Sequence, residues 1–395
     1  MAQKSVAKME QRLTSEASLG RQKDDGSRWN QGEAGGSTGR GKVNGPEAKT
    51  RAIGTSSLDG AGNWRTQGRS AHLSVVTGVV DGLEGASRAG LKNWLNYEKE
   101  VGEGGEWCYQ SQLSCHDTCR GPSEWKNNFP NCGGQRQSPI NIVTGKVKHD
   151  PKLTNFIFEG HEKLFNMSVE NHGHSAYFSL PQSVRIRGGG LSGTYKAVQF
   201  HLHWGENGGQ GSEHSVDGEQ FPMELHIVHI KEKYDSLKEA LNDSTGVAAF
   251  AFFFEVTSGQ NKHLERVIDA LGKVRYEGNS SEIEDFRLTD IIPQASKLSY
   301  YRYLGSLTTP DCDQAVVWTV FKQTLPISKK QLMSVDKQLL FGTGKPMTGI
   351  FRPVQNLNGR VVYTSVPAQG LCVLPNLITL FLCLFCVFGQ QRCLN

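Results

Sequence analysis

The sequence predicts a mainly β domain with short helices, an α+β fold. Short apolar runs with strand-like alternation recur between residues 156 and 321, and turns rich in Gly and Asn, such as Gly188-Gly189-Gly190 and Asn207-Gly208-Gly209, separate them. Helical periodicity is weak and confined to Lys262–Leu271 and Leu332–Leu340.

Taken in order, residues 1–105 are rich in Gly, Ser, Lys, Arg and Glu and poor in large apolar residues. Such a stretch cannot bury enough surface to offset its ordering entropy, so it reads as disordered or as a doubtful extension. From 106 to 366 the texture is that of one globular domain. Its expected strands are Phe156–Phe158, Ser168–Val169, Ser175–Leu180, Val184–Ile186, Ala197–Trp204, Met223–His229, Val247–Val256 and Val316–Phe321. Val247–Val256 is apolar nearly throughout, which predicts a central strand buried on both faces. Residues 367–395 form a hydrophobic tail whose apolar core, Leu371–Phe388, is 18 residues long and interrupted by Pro375 and Asn376. Small residues precede it, Ser365, Ala368 and Gly370 among them. Two readings fit, a signal exchanged for a glycolipid (GPI) anchor, with Ser365 the candidate site, and a retained membrane helix.

A net charge of +4 over 395 residues is too weak to invoke nucleic acid, and no basic run alternates with aromatics as such sites need. Four of the nine cysteines, Cys108, Cys115, Cys119 and Cys132, precede the strands, Cys312 stands alone, and four lie in the tail. The placement suits disulfides in an oxidising compartment. Cys383 and Cys386 have redox-motif spacing but sit in an apolar run, not at a strand–helix turn. Sequons at Asn166, Asn242 and Asn279 agree with secretion. Against this, Met1 is not followed by the apolar core of a secretory signal. Either residues 1–105 stand where the true signal belongs, or the chain stays inside the cell and the disulfides never form.

The chemistry concentrates in Gln199–Val228. Alternation puts His201 and His203 on one strand face and groups Glu224, His226 and Val228 on one face of a second. A lone strand histidine is usually core or surface filling. Three that converge, with one position left open, match the way a catalytic zinc is held. Gln199 and Glu224 each precede a histidine by two, where they can take the second ring N–H and set its tautomer.

Ser212-Glu213-His214-Ser215-Val216, Phe221 and Glu224-Leu225-His226-Ile227-Val228 resemble the signature of the alpha-class carbonic anhydrases. Gln135, Ser138-Pro139-Ile140-Asn141-Ile142, Tyr303-Leu304-Gly305-Ser306-Leu307-Thr308-Thr309-Pro310 and Phe351-Arg352-Pro353 continue the resemblance, which is collinear over 106–366. It implies one catalytic domain around a large, mostly antiparallel twisted sheet carrying a zinc site. The implied reaction is reversible hydration of carbon dioxide to bicarbonate and a proton by zinc-bound hydroxide. The implied cofactor is Zn²⁺ on His201, His203 and His226. Glu213, as an ionised acid, can only accept, so it would clamp the Thr308 hydroxyl. His174, in Asn171-His172-Gly173-His174, falls at the family's proton-shuttle position. His172 departs from the asparagine common there, which bears on shuttling efficiency and not on the metal.

The same resemblance implies a carbon dioxide pocket of Val228, Ala249, Leu307, Thr309, Val316 and Trp318, with Ala249 in place of the usual valine. Inhibition by anions and sulfonamides is implied as well. The early cysteines, Cys312 and the apolar tail look most like the membrane-anchored extracellular isozymes IV and XV. From these come the pairings Cys108–Cys119 and Cys132–Cys312, with Cys115 left over, and a place on the outer face of the plasma membrane. The alternative is an inactive binding or adhesion domain of the same fold. Such domains typically lose a zinc histidine, and here all three are present.

Overall fold

The computed structural model describes residues 106–114 and 118–367. The expected disordered extension 1–105, Cys115 and the apolar tail lie outside the described residues. The chain lays down β1 (Asn141–Ile142), β2 (Lys148–His149), β3 (Phe156–Glu159), β4 (Phe165–Asn171), β5 (Ala176–Ser179) and β6 (Arg185–Gly188). β7 (Tyr195–Trp204), β8 (Ser215–Val216), β9 (Glu219–Gln220), β10 (Met223–Lys231), β11 (Val247–Thr257) and β12 (Ser280–Phe286) follow. The last strands are β13 (Tyr300–Gly305), β14 (Val316–Phe321), β15 (Leu325–Ser328) and β16 (Tyr363–Thr364). Four short helices accompany them, α1 (Trp125–Asn128), α2 (Leu237–Leu241), α3 (Lys262–Lys273) and α4 (Lys329–Val335). Among the described residues, none of these is long and apolar enough to cross a membrane.

One large sheet organises the domain, in the order β12-β4-β5-β7-β10-β11-β14-β13-β16-β2. Its pairings are antiparallel except β11 with β14 and β15, and β16 with β2. All ten residues of β7 are buried, as are Val247–Phe254 of β11, so the centre of the sheet is covered on both faces. Alternation along β11 sorts size by face. Phe250 and Phe252 pack with Phe321, at ring separations of 5.0 and 4.3 Å. Ala249 and Ala251 lie opposite Val228 and His226 on the other face, where a larger side chain would fill the space beside the imidazoles.

The helices follow local signals. Asn261 caps α3, its side chain accepting from the N–H groups of His263 and Leu264, and Leu264, Val267, Ile268 and Leu271 form the buried stripe. The second helix begins earlier than its apolar period indicates and ends at Val335 instead of Leu340. Ser328 and Gln331 form a capping box that starts it there. β12 is a strand that periodicity misses. It is an edge strand with only Ile283 and Phe286 buried, and its Ser and acidic residues keep an exposed edge soluble.

One disulfide closes a loop within the N-terminal segment and a second ties that segment to the domain. Cys108 bonds to Cys119, and Cys132 to Cys312. Cys312 follows the Thr308–Thr309 loop, and its N–H donates to Thr309 O at 2.8 Å.

Two histidines outside the converging set, His161 and His229, are also buried. His161 stacks on Phe158 with Nδ1 3.1 Å from Glu159 O, and His229 has Nδ1 3.2 Å from Ala248 O. Neither Nε2 has a hydrogen-bond partner. Burial lowers the His161 pKa to about 4 and that of His229 to about 3. Below pH 6.5 the unfolded chain takes up these protons and the folded chain does not, so stability falls as pH drops from 6.5 towards 4. His161→Phe should flatten this fall by on the order of 3 kcal/mol, measured as the melting temperature of each protein from pH 7 to 4.

Candidate metal centre

β7 and β10 run antiparallel in a register that sets His226 opposite His201 and Glu224 opposite His203. Side chains of directly opposed residues share a face, so the three imidazoles meet above the sheet. Their ligand nitrogens all lie within 4.8 Å of one another. Each ring's outward nitrogen meets an oxygen: His201 Nδ1 and Gln199 Oε1 at 2.9 Å, His203 Nδ1 and Ile350 O at 2.8 Å, His226 Nε2 and Glu224 Oε1 at 2.7 Å. A carbonyl or ionised carboxylate only accepts, so the ring protons sit outward and three lone pairs point inward. Burial first, then the neighbouring rings, holds the His201 pKa well below its ordinary value, and burial also lowers that of His203. Burial therefore favours the neutral form of these two rings.

Two features of this arrangement call for a cation. His203 Nε2 and His226 Nδ1 lie only 3.1 Å apart, and with both protons outward two lone pairs face each other. Glu213 is fully buried. One of its oxygens accepts from the Arg352 N–H at 2.8 Å, while Oε2 has no hydrogen-bond partner and lies 3.5 Å from His203 Nε2 and 3.9 Å from His226 Nδ1. A buried carboxylate beside neutral rings is costly unless positive charge is close by. Three nitrogen donors with one side open fit a zinc ion.

Glu224 anchors the group from behind. It also accepts from the backbone N–H groups of Glu213 and His214, both at 2.8 Å, and lies 2.6 Å from His214 Nδ1. Burial alone would raise its pKa, but His214 and His226 beside it hold it well below the usual range. His214 Nε2 lies 2.6 Å from the Tyr303 hydroxyl, which donates to Ser138 Oγ at 2.9 Å. Ser138 reaches that point because residue 305 is glycine. A Cβ there would stand 2.1 Å from Ser138 Oγ.

A small cavity of about 30 Å³ opens beside the histidines, room for molecules of about the size of water. Val228, Ala249, Leu307, Thr308, Thr309, Val316 and Trp318 line it with Tyr109, Ser175, Tyr177 and Val247. Residues 120–366 match the family model for eukaryotic-type carbonic anhydrase.

The chain belongs to the eukaryotic-type carbonic anhydrases.

It is 38% identical over 285 residues to "Carbonic anhydrase 4" of Rattus norvegicus, a match covering 71% of this chain and 91% of that protein. It is also 38% identical over 283 residues to "Carbonic anhydrase 15" of Mus musculus, covering 68% and 86%. "Carbonic anhydrase 12" of Homo sapiens is 36% identical over 261 residues, covering 64% and 73%. The reaction of a carbonic anhydrase is the reversible hydration of carbon dioxide.

Within this carbonic anhydrase the residues singled out from sequence fall in different places. His201, His203 and His226 converge, with Gln199 and Glu224 behind two of them, and the six expected pocket residues share one cavity. The bond expected between Thr308 and Glu213 is absent. One Glu213 oxygen is taken by the Arg352 N–H and the other is turned towards the histidines. His174 stands apart from the cavity lining, stacked on Trp107 at 4.1 Å with Nε2 3.0 Å from Trp107 O. His172 lies edge-on to Tyr177 at 4.9 Å, and Tyr177 in turn to His201 at 5.3 Å. Asn166, Asn242 and Asn279 are all exposed. Ser365 exchanges hydrogen bonds with Tyr300 at the sheet edge, its Oγ and N–H both engaged at 3.0 Å.

Sequence reasoning gave no role to Tyr109, Tyr177, His214 and Arg352, although His214 and Arg352 stand in the segments that carry the family resemblance. Tyr177 was readable as the second member of an alternating face with Ser175, one residue past His174. Tyr109 reaches the cavity only through the fold of the Cys108–Cys119 loop, which carries no local signal.

Proposed function

We propose that His201, His203 and His226 hold a zinc ion and that carbon dioxide is hydrated beside it. The observation that carries this reading is the convergence of three lone pairs, each fixed by an acceptor on the far side of its ring. Zinc bound there supplies a nucleophile at neutral pH by lowering the pKa of a water to about 7, an effect for which carbonic anhydrase is itself the reference case.

The chain's own groups do the rest. The apolar wall of Val228, Leu307, Val316 and Trp318 suits a small uncharged molecule and offers bulk solvent little hold. Glu213 Oε2, the one open acceptor of that acid, accepts a hydrogen bond from the Thr308 hydroxyl in the working state. Thr308 Oγ then presents only lone pairs to the reacting oxygen and sets its orientation. The Thr308 N–H is a donor for bicarbonate or for an inhibiting anion.

His174 relays the released proton to buffer, since an imidazole titrating near neutrality both accepts and releases at ambient pH. Gly173, at φ +81°, makes the turn that projects it between β4 and β5. His174→Ala should slow hydration about tenfold or more in buffer-poor medium, at or below the usual span of acid–base contributions, and imidazole buffer should restore the rate. A mutant whose rate ignores buffer concentration would assign the relay elsewhere, with His172 the next candidate.

The enzyme works outside the cell. Both cysteine pairs are bonded and all three sequons are exposed, which suits an oxidising, glycosylating route. The apolar tail is read as a glycolipid-anchor signal with Ser365 as the candidate attachment point. Treating expressing animal cells with a phospholipase that cleaves such anchors should release the activity. Stopped-flow hydration by the purified chain, abolished by a sulfonamide, tests the chemistry, and hydration indifferent to the sulfonamide would count against it.

A further inference from the structure

A second cavity, of about 450 Å³, lies apart from the histidines and is put to no use by the reaction. Its volume is in the range of small-molecule sites. Three arginines line it, Arg136, Arg302 and Arg360, against a single acid, Asp150. Along β13 and β14 the lining residues Arg302, Leu304 and Val317 share the sheet face turned away from Trp318, and Tyr303, on the other face, lines the cavity as well.

Among the described residues none of the three guanidiniums is in ion-pair contact with a carboxylate, and Asp150 is the acid close enough to Arg302 to favour its charge. Arg302 is only 7% exposed. Its Nε and Nη2 donate to Thr319 Oγ1 at 3.2 and 2.9 Å, and its face lies over Tyr300 and Phe156 at 5.4 and 5.8 Å. Among the described residues Nη1 makes no hydrogen bond, and it lies 3.7 Å from where a Cβ on Gly190 would stand. Burial lowers the Arg302 pKa to about 10, which leaves it cationic at neutral pH.

Arg360 binds the carbonyls of Leu357, Leu304 and Asn356, and the Arg136 guanidinium binds Gln314 O. Arg136 is close enough to Arg360 to disfavour its charge. Structural hydrogen bonds to carbonyls account for holding two of these side chains. They do not account for gathering three cations around one space, nor for an open donor on the most buried of them. Leu153, Leu191 and Val317 supply apolar wall between the charges.

We propose that this cavity binds a small organic oxyanion, a phosphate- or carboxylate-headed molecule with an apolar body. Guanidinium forks match such heads in geometry and charge, and the apolar wall takes the body. The site is separate from the metal histidines, although Tyr303, which lines it, also reaches His214 behind the metal centre.

Phenyl phosphate is a suitable probe, titrated calorimetrically into the metal-loaded full chain while a sulfonamide saturates the metal centre. The expected result is saturable binding of one molecule per chain, with phenol showing none at the same concentration. Arg302→Met should weaken it about tenfold or more, as loss of a charge-assisted bond does. Arg136→Gln, whose side chain is only half-buried, should do the same and decides the matter if the first variant fails to fold. Absence of saturable binding with the sulfonamide in place would overturn the proposal. So would phenol binding as tightly as phenyl phosphate, or folded variants that bind like the parent.

Discussion

Replacing His226 with alanine should abolish carbon dioxide hydration and empty the metal centre. The change removes one of three inward lone pairs, and the two left cannot hold zinc in a closed geometry. It also strips Glu224 of its 2.7 Å partner and leaves that buried carboxylate with His214 and two backbone N–H groups. Loss of an outer orienting partner alone typically lowers metal affinity by about 10–100-fold, so loss of a ligand should exceed that. Zinc content after gel filtration and stopped-flow hydration would be measured together. His149, exposed on a short edge strand, is the matching control, and His149→Ala should leave both unchanged. A His226→Ala protein that keeps its zinc and its rate would remove β10 from the metal site.

The second large effect is expected at Cys312. Its bond to Cys132 spans a sequence separation of 180, and in the chain-entropy model a loop of that length stabilises by up to about 5 kcal/mol. The bonded region is also where the site is framed. Arg352 Nη2 donates to Cys132 O at 3.1 Å, Gln137 Nε2 to Cys312 O at 3.2 Å, and the Leu307 N–H to Asp313 O at 3.0 Å. Cys312→Ser should therefore lower the denaturant midpoint strongly and loosen the loop carrying Thr308. Thermal or urea unfolding measures the first effect, and the hydration rate of the still-folded protein measures the second. A variant with the parent's midpoint would mean that the unfolded chain gains little freedom when this bond is lost.

The legible part of this protein was the part written in short periods. In β7 and β10 a side-chain period of two put His201 and His203 on one face of their strand and His226 on one face of its own, and antiparallel pairing joined them on a single face of the sheet. The nearly unbroken apolar run Val247–Val256 announced a central strand covered on both faces, and β11 is buried from Val247 through Phe254. Ser328 and Gln331 show the limit of apolar periodicity, because a cap and not a hydrophobic residue starts α4. β12 was hidden because an edge strand needs few apolar residues. The deeper support of the site was not readable at all. His214 lies 10 residues before Glu224 and 89 before Tyr303, and only the folded sheet brings those three together. The resemblance to the family predicted the two disulfides, yet no direct Thr308–Glu213 bond is formed: the N–H of Arg352, 139 residues away, takes one Glu213 oxygen and the other is turned towards the histidines.

The most direct test of the account is metal content and activity measured on one sample. The purified chain should carry one zinc per molecule and hydrate carbon dioxide. It should lose both on dialysis against a chelator and recover both when one equivalent of zinc is returned. A chain that hydrates carbon dioxide at the same rate after its metal is removed, or that binds no zinc at His201, His203 and His226, would contradict it.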